Sequence, residues 1–147
     1  MPARFWHYFY FFNITINMAN EIIVCVVQHE GKILLLKRTA HHEHDPHKWE
    51  FVSGLLKTPV NKTFRAQEQI ELETGLSPEF VKHGTPFEVE DKYGKWKVHP
   101  FLFNANSSQV RVKMDDHVQY RWIKKNELGL FECVKDLHKN LEALQLV

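Results

Sequence analysis

The chain has few of the features that would place it in a specialised class of protein. Its 147 residues include two cysteines, too few for a disulfide framework, which favours a reducing compartment and predicts a cytoplasmic protein. The formal net charge of +1 gives no strong field that would attract nucleic acid or an anionic membrane surface. The most aromatic stretch, at the N-terminus, is too short to span a bilayer. Disulfide-rich, nucleic-acid-binding and membrane-spanning proteins are therefore not the expected classes.

What remains is the composition of an ordinary globular domain. Hydrophobic residues make up 44% and charged residues 25% of the chain, which is typical of soluble proteins. A length of 147 residues suits one domain that can bury a sizeable core. No internal repeat or low-complexity linker divides the chain beyond residue 17, so we predict one domain over residues 18–147.

Residues 1–17, MPARFWHYFYFFNITIN, form an N-terminal extension crowded with aromatic side chains. A signal peptide is disfavoured because His7 and Asn13 interrupt the apolar run and no small-residue cleavage site follows. The segment could instead be an arm that packs on the domain or on a partner protein, or an extension upstream of a natural start at Met18. The sequence leaves these alternatives open.

Hydrophobic periodicity predicts strands interleaved with two helices. Strands are predicted at residues 21–27, 32–38, 49–54, two or three times within 79–106, and at 118–125. A helix is predicted over residues 63–74 because Gly75 provides a C-cap. A closing helix is predicted over residues 131–147 because apolar residues recur there at three- and four-residue spacing. Hairpins rather than regular crossovers indicate an α+β fold with a mixed sheet.

Five stretches, in this order, make the chain resemble a Nudix domain over nearly all of residues 20–145. They are ILLLKR at 33–38, WEFVSG at 49–54, ETGL at 73–76, HPFLF at 99–103 and HVQYRWIKKNEL at 117–128. The resemblance implies the Nudix fold, in which a mixed β-sheet is sandwiched between helices in an α/β/α arrangement. It also implies hydrolysis of a nucleoside diphosphate linked to another moiety, with Mg²⁺ or Mn²⁺ as the cofactor.

The family's box is a loop–helix–loop that binds divalent metal ions and the substrate diphosphate. Its pattern is Gly, five residues, Glu, seven residues, and then Arg-Glu-aliphatic-any-Glu-Glu-any-Gly-aliphatic. Placing Gly54 on the first glycine aligns the chain without a gap as far as Gly75 and Leu76. The box positions then fall on Gly54, Val60, Glu68, Gln69, Leu72, Glu73 and Gly75. Among the ionic positions, Glu73 keeps the family's residue.

The replaced glutamates matter because residues 69, 72 and 73 are expected to share one face of a helix. Glutamates at all three would form a carboxylate patch that suits magnesium, a hard cation that prefers oxygen ligands. Here Gln69 offers a neutral amide oxygen and Leu72 offers no ligand. Glu73 remains as the candidate catalytic and metal-binding residue, and Asp116 is the best further acid for a metal role.

Two further replacements in the box remove both partners of one ion pair. Glu68 stands where the family has an arginine, and Val60 stands where the acidic partner of that arginine is expected. The ion pair is therefore lost as a unit, which avoids leaving a buried charge without a partner.

Several residues outside the box are candidates for ligand contacts. Lys37 and Arg38 end a predicted strand where Nudix proteins often present a basic residue to substrate phosphates, although a strand-end charge in water fits equally well. Trp49 could stack on a nucleobase, but packing in the core is the more ordinary role. The loop HHEHDPH, residues 41–47, could bind zinc or nickel, yet its irregular ligand spacing favours a polar surface loop.

These observations favour a Nudix-fold protein with a degraded catalytic box. Such a protein would bind a nucleotide-like ligand or a protein partner with little or no hydrolysis. The alternative is an active Nudix hydrolase that takes metal ligands from outside the box and uses Mg²⁺ or Mn²⁺. A third alternative is an interaction module in which residues 1–17 cover a sheet edge or dock on a neighbour, and a homodimer is compatible with it.

Overall fold

The computed structural model describes residues 20–57 and 61–147, so the predicted extension and Val60 lie outside the described residues. The strands are β1 Asn20–His29, β2 Lys32–Arg38, β3 Trp49–Glu50, β4 Val52–Leu55, β5 Pro78–His83, β6 Phe87–Asp91, β7 Gly94–Ala105 and β8 His117–Ile123. The helices are α1 Lys62–Thr74, a 3-10 helix Lys125–Leu130 and α2 His138–Ala143. Within the described ranges, no helix has the length and apolarity needed to cross a membrane.

The strands form one mixed sheet whose central order is β3-β2-β1-β7-β5. β1 and β7 run parallel, and the other strand pairs are antiparallel. Beside this path, β4 pairs with β1, β6 with β7 and β8 with β2. In the last pair Arg38 lies opposite His117, which brings the end of β2 to the start of β8. The prediction of a mixed sheet is confirmed.

Side chains of β1 alternate between two apolar cores, one on each face of the sheet. Ile23 and Cys25 face α1 and pack in one core with Ile70. Val24 faces the C-terminal segment and packs in the other core with Leu141. Helices therefore cover both faces, and the predicted α/β/α arrangement is confirmed.

The ends of α1 are set by the residues that flank it. The side chain of Asn61 accepts a hydrogen bond from the Phe64 N–H at 3.0 Å, as an N-cap does. Gly75 follows the helix with φ 72, a left-handed conformation that glycine adopts without a steric penalty. The helix predicted over residues 63–74 is present, and it begins one residue earlier at Lys62.

The closing helix predicted over residues 131–147 is wrong in extent, because α2 covers His138–Ala143 alone. The segment before it pairs with the edge of the sheet instead. Trp49 N donates a hydrogen bond to Glu132 O at 2.9 Å, and Val134 N donates to Trp49 O at 3.0 Å. These backbone groups are consequently not available for helical hydrogen bonds.

The stretch WEFVSG, predicted as one strand, forms two. β3 pairs with β2, whereas β4 pairs with β1, so the chain changes its neighbour at Phe51. The side chain of Phe51 is buried in the core. The pairing of β3 places Glu50 opposite Leu36, close to the point where Arg38 ends β2.

Candidate ligand-binding cleft

A cleft opens on the face of the sheet that carries the C-terminal segment. Strands β1, β6 and β7 provide its apolar wall, which consists of Ile22, Val24, Phe87, Val89, Trp96 and Val98. Polar side chains at the ends of β2, β3 and β8 form its opposite end. The cavity volume of about 120 Å³ is roughly ten times what one water molecule needs, so a small organic molecule can enter.

Three charged side chains meet at the polar end of the cleft. Arg38 Nη2 donates a hydrogen bond to Glu50 Oε1 at 3.0 Å. His117 Nε2 lies 2.9 Å from Glu50 Oε2, so both carboxylate oxygens have a partner. The arrangement follows from the strand pairing, because β2 lies between β3 and β8. We call these residues the Arg38–Glu50–His117 cluster.

The residues of the cluster favour one another's charged forms. Burial by itself would raise the pKa of Glu50, but the Arg38 guanidinium and the hydrogen bond from His117 hold it well below its ordinary value. Burial would likewise lower the pKa of His117, but the hydrogen bond to Glu50 and that carboxylate's charge raise it above its ordinary value. The cleft therefore ends in a carboxylate held between a guanidinium and an imidazole whose pKa the carboxylate raises.

Glu73 lies near this cluster and belongs to a row of side chains along α1. Gln69 Nε2 donates a hydrogen bond to Glu73 Oε1 at 2.9 Å, and Arg65 Nη1 donates to Gln69 Oε1. Burial raises the pKa of the Glu73 carboxyl. The row packs directly on Gly54, where an added Cβ would lie 2.7 Å from Arg65 Nη2 and 2.8 Å from Gln69 Oε1. We call these residues the Arg65–Gln69–Glu73 row.

A divalent metal ion would need further oxygen ligands near Glu73, because magnesium prefers several. Both polar ends of the Gln69 amide are engaged within the row. The Leu72 side chain is 62% exposed, and the Glu68 carboxylate, 51% exposed, lies 3.8 Å from Arg65. Across residues 20–57 and 61–147, no three His, Cys, Asp or Glu side chains converge as metal ligands. The described residues near Glu73 thus do not fit a resident Mg²⁺ or Mn²⁺ ion.

The His-rich loop forms one wall of the cleft. The ring of His44 stacks on Tyr93 with the ring centroids 4.0 Å apart, and Asp45 N donates to the Tyr93 hydroxyl at 3.3 Å. Arg38 Nη1 donates a hydrogen bond to the carbonyl oxygen of His44. Burial and the nearby Arg38 charge lower the pKa of His42 to about 4, so its ring is neutral near pH 7. The loop is thereby tied to β2 and to the β6–β7 turn.

The predicted site residues divide between the cleft and its surroundings. Arg38, Glu73 and Asp116 line the cleft. Lys37 and Trp49 lie elsewhere among the described residues. Lys37 Nζ is 5.8 Å from the centroid of the Trp49 ring, and that ring is buried in the core.

Sequence reasoning missed Glu50, His117 and Asn140, which also line the cleft. One indication was available for Glu50, because an acid within a predicted buried strand needs a cationic partner. Asn140 is a polar residue on the apolar face of the predicted closing helix, and that position was a second indication. No comparable pattern pointed to His117, whose role depends on the register of β8 against β2.

The fold resembles solved structures of Nudix hydrolases. The MutT Nudix hydrolase from Burkholderia pseudomallei superposes with a TM-score of 0.74 and 20% identity, over 86% of this chain and 98% of that one. A C. elegans Ap4A hydrolase in a binary complex gives 0.67 and 15%, over 87% and 96%. A UDP-X diphosphatase gives 0.66 and 13%, over 88% and 61%. No protein-family model and no curated protein sequence matches the chain. The likeness shows the fold: the chain has the Nudix fold.

Proposed function

We propose that the chain binds a nucleotide-like ligand in the cleft, with little or no hydrolysis. The observation that carries the proposal is the Arg38–Glu50–His117 cluster at the end of an apolar cleft, since convergent polar groups in a concave apolar pocket are typical of ligand sites. The solved structures that resemble the chain include an Ap4A hydrolase and a UDP-X diphosphatase, which supports a nucleotide-like ligand class.

The residues of the box support the absence of efficient hydrolysis. Glu73 is a single carboxyl group, whereas magnesium prefers several oxygen ligands, so Glu73 alone is too little to hold the ion. Gln69 and Leu72, which take the places of two family glutamates, add a neutral amide and an exposed apolar side chain. Without a metal ion, little would offset the charge of a diphosphate at the reacting bond.

Ligand binding is tested by the thermal stability of the chain in EDTA, with and without nucleoside diphosphates. A ligand at one hundred times its dissociation constant should add about 2.7 kcal/mol to the free energy of unfolding. Arg38→Lys should weaken binding about tenfold, because lysine lacks the planar fork that bonds Glu50 and His44. Arg121→Lys, at an exposed position, is the matched control. Unchanged stability with every nucleotide would contradict the proposal.

An active hydrolase is the second candidate, because Glu73 and Asp116 line the same cleft and could share a substrate-bound cation. Its test is phosphate release from nucleoside diphosphate derivatives during a titration with Mg²⁺ or Mn²⁺. A metal-dependent rate that collapses in Glu73→Gln would establish this candidate and overturn the proposed lack of hydrolysis. Loss of a general base alone typically costs about 10²- to 10⁴-fold in rate.

An interaction module is the third candidate, because two large apolar side chains of α1 are exposed. Phe64 is 67% exposed and Leu72 is 62% exposed. Exposed apolar patches often mark protein contacts. The test compares the sedimentation of the whole chain with that of a chain that starts at Met18. A dimer formed by the whole chain alone would support a role for residues 1–17, and monomers in both cases would remove the homodimer from consideration.

A further inference from the structure

The segment between β2 and β3, residues 39–48, is closed at its base by backbone hydrogen bonds. Arg38 N donates to Lys48 O at 2.9 Å, and His47 N donates to Thr39 O at 3.4 Å. A surface segment of this length whose ends lie close together is an Ω-loop, and such loops are frequently functional. We call residues 39–48, which include the His-rich loop, the strap.

The tip of the strap reaches across to the β6–β7 turn. The rings of His44 and Tyr93 stack with their planes 15° apart, and Asp45 N donates a hydrogen bond to the Tyr93 hydroxyl. His42, His44 and Asp45 line the cleft, and so does Asp91 at the end of β6. The strap therefore joins the polar end of the cleft, where its base lies, to the apolar wall on the other side.

The cleft is small for the ligand class proposed above. Its volume is about 120 Å³, whereas ligand pockets typically measure about 300–1,000 Å³. Sheet hydrogen bonds hold the strands of the wall in place, and the C-terminal segment is anchored by Leu137 and Leu141 in the core. The strap, TAHHEHDPHK, has no large apolar side chain that could anchor it. Segments of this kind open at the lowest free energy, so the strap is the part of the wall that can move.

Movement of the strap would also change what Arg38 can bind. Its Nη1 donates a hydrogen bond to the His44 carbonyl oxygen, and its Nη2 donates to Glu50 Oε1. Each terminal nitrogen of the guanidinium thus has a partner while the tip of the strap is in place. Displacement of His44 would release Nη1, and a guanidinium N–H is a strong donor to a phosphate oxygen.

We propose that the strap is a gate that Tyr93 holds shut, an inference that rests on the proposed function. The gate opens when the contacts of Tyr93 with His44 and Asp45 break, and a nucleotide-like ligand then enters the cleft. Entry is limited to the fraction of molecules in which the strap is open, because the closed cleft is too small for the whole ligand. Tyr93 is accordingly a positioning residue that acts through the strap.

The variant Tyr93→Ala tests the gate because it removes both contacts at once. Loss of one aromatic stack and one hydrogen bond should raise the open population about tenfold. Two measurements report that population in the whole chain. They are the hydrogen-exchange rate of the Asp45 amide without ligand, and the association rate of a fluorescent ADP analogue in EDTA. Both rates should rise by the same factor, since each is proportional to the open fraction.

Three further variants make the test specific. Tyr93→Phe keeps the stack and loses the hydroxyl, so both rates should rise less than in Tyr93→Ala. His44→Ala removes the stack from its other side and should also raise both rates, which keeps the test decisive if Tyr93→Ala does not fold. Tyr120→Ala, at a tyrosine of β8 that is 39% exposed, is the control and should change neither rate.

The two measurements separate failure of the gate from failure of the proposed function. Unchanged exchange in Tyr93→Ala and His44→Ala would mean that the stack does not hold the strap. Faster exchange with unchanged association would mean that the ligand enters without passing the strap. Either result overturns the gate while the proposed function stands. If the ADP analogue and other nucleoside diphosphates bind to none of these proteins, the proposed function and the gate are both overturned.

Discussion

Glu50 shows at the scale of one residue how the cleft differs from the core around it. The residue is 6% exposed, yet it stays charged because Arg38 and His117 each bond one of its oxygens. Buried ion pairs contribute little net stability, and well-packed apolar residues of similar size often stabilise a protein more. A buried charged cluster in the wall of a cleft is therefore better explained by recognition of a ligand than by stability of the fold.

The cluster predicts how stability depends on pH. Because the folded pKa of His117 is raised, its contribution is fully present below the unfolded value of about 6.5 and is lost as the pH rises through the folded pKa. The free energy of unfolding should consequently fall above pH 6.5, by at most about 1.4 kcal/mol per pH unit from this residue. Urea unfolding at several pH values measures the slope.

Two variants assign that slope to His117. His117→Gln should flatten the decrease above pH 6.5, since glutamine does not titrate. His138→Gln, at an exposed position, should leave the slope as it is. The interpretation fails if the slope persists in His117→Gln.

At the scale of elements, the sequence was most informative where local patterns determine structure. The aliphatic run of residues 32–38, which follows the turn HEGK, predicted β2 with its observed bounds, and Gly75 predicted the end of α1. The C-terminal prediction failed because Trp49 bonds the backbone of residues 132–134, which a periodicity within one segment cannot indicate. Tertiary pairing overrode a helical pattern there.

The distinction between local patterns and tertiary pairing also applies to the cleft residues. Arg38 was identified because it ends a predicted strand, and Glu73 because it matches a position of the box. Both features are visible along the sequence. Glu50 and His117 are 67 positions apart in the sequence and meet because β3 and β8 flank β2. Strand order and register bring these residues together, and a single sequence does not contain that information in any local pattern.

The Arg65–Gln69–Glu73 row predicts a specific requirement at Gly54. In Gly54→Ala, the new Cβ would meet Arg65 Nη2 and Gln69 Oε1 at 2.7 and 2.8 Å, so the ends of both side chains must shift and the hydrogen bond between them is strained. The expected cost is about 1–3 kcal/mol of unfolding free energy, as for other overpacked positions. Chemical denaturation measures it.

Two controls separate this clash from general effects of losing a glycine. Gly129→Ala has open space around the new Cβ and should change stability little. Combining Gly54→Ala with Gln69→Ala removes one of the colliding groups, so the double variant should be less unstable than the sum of the single effects. Additive costs would mean that the row is not what restricts residue 54.

Across the whole molecule, the residues that determine the fold differ from those that would carry out a reaction. The positions that shape the fold, such as Ile70 and Gly75, keep the family's residue types and occupy a core site and a helix cap. In the proposed alignment with the family's box, Gln69 and Leu72 are uncharged where the resemblance implies glutamates. A fold can host many functions, so the function has to be argued from the site itself. Retained architecture is therefore compatible with ligand binding without turnover.

Restoring carboxylates to α1 should restore a dependence on magnesium. The variant Gln69→Glu with Leu72→Glu places two acids beside Glu73 on one helix, where like charges repel in metal-free buffer. Magnesium should relieve that repulsion and add about 2.7 kcal/mol at one hundred times its dissociation constant. The unaltered chain should show no comparable gain, because its row offers one carboxylate.

The matched control, Gln67→Glu with Leu130→Glu, adds the same charge elsewhere. Magnesium should not raise its stability, because those positions do not adjoin Glu73 along the row. Thermal unfolding with Mg²⁺ or EDTA distinguishes the three proteins. If the unaltered chain gains as much stability from Mg²⁺ as the restored variant, then its cleft already binds the ion. Hydrolysis with metal ligands outside the box would then become the better account of the protein, since a bound divalent cation supplies the charge that a diphosphate needs offset.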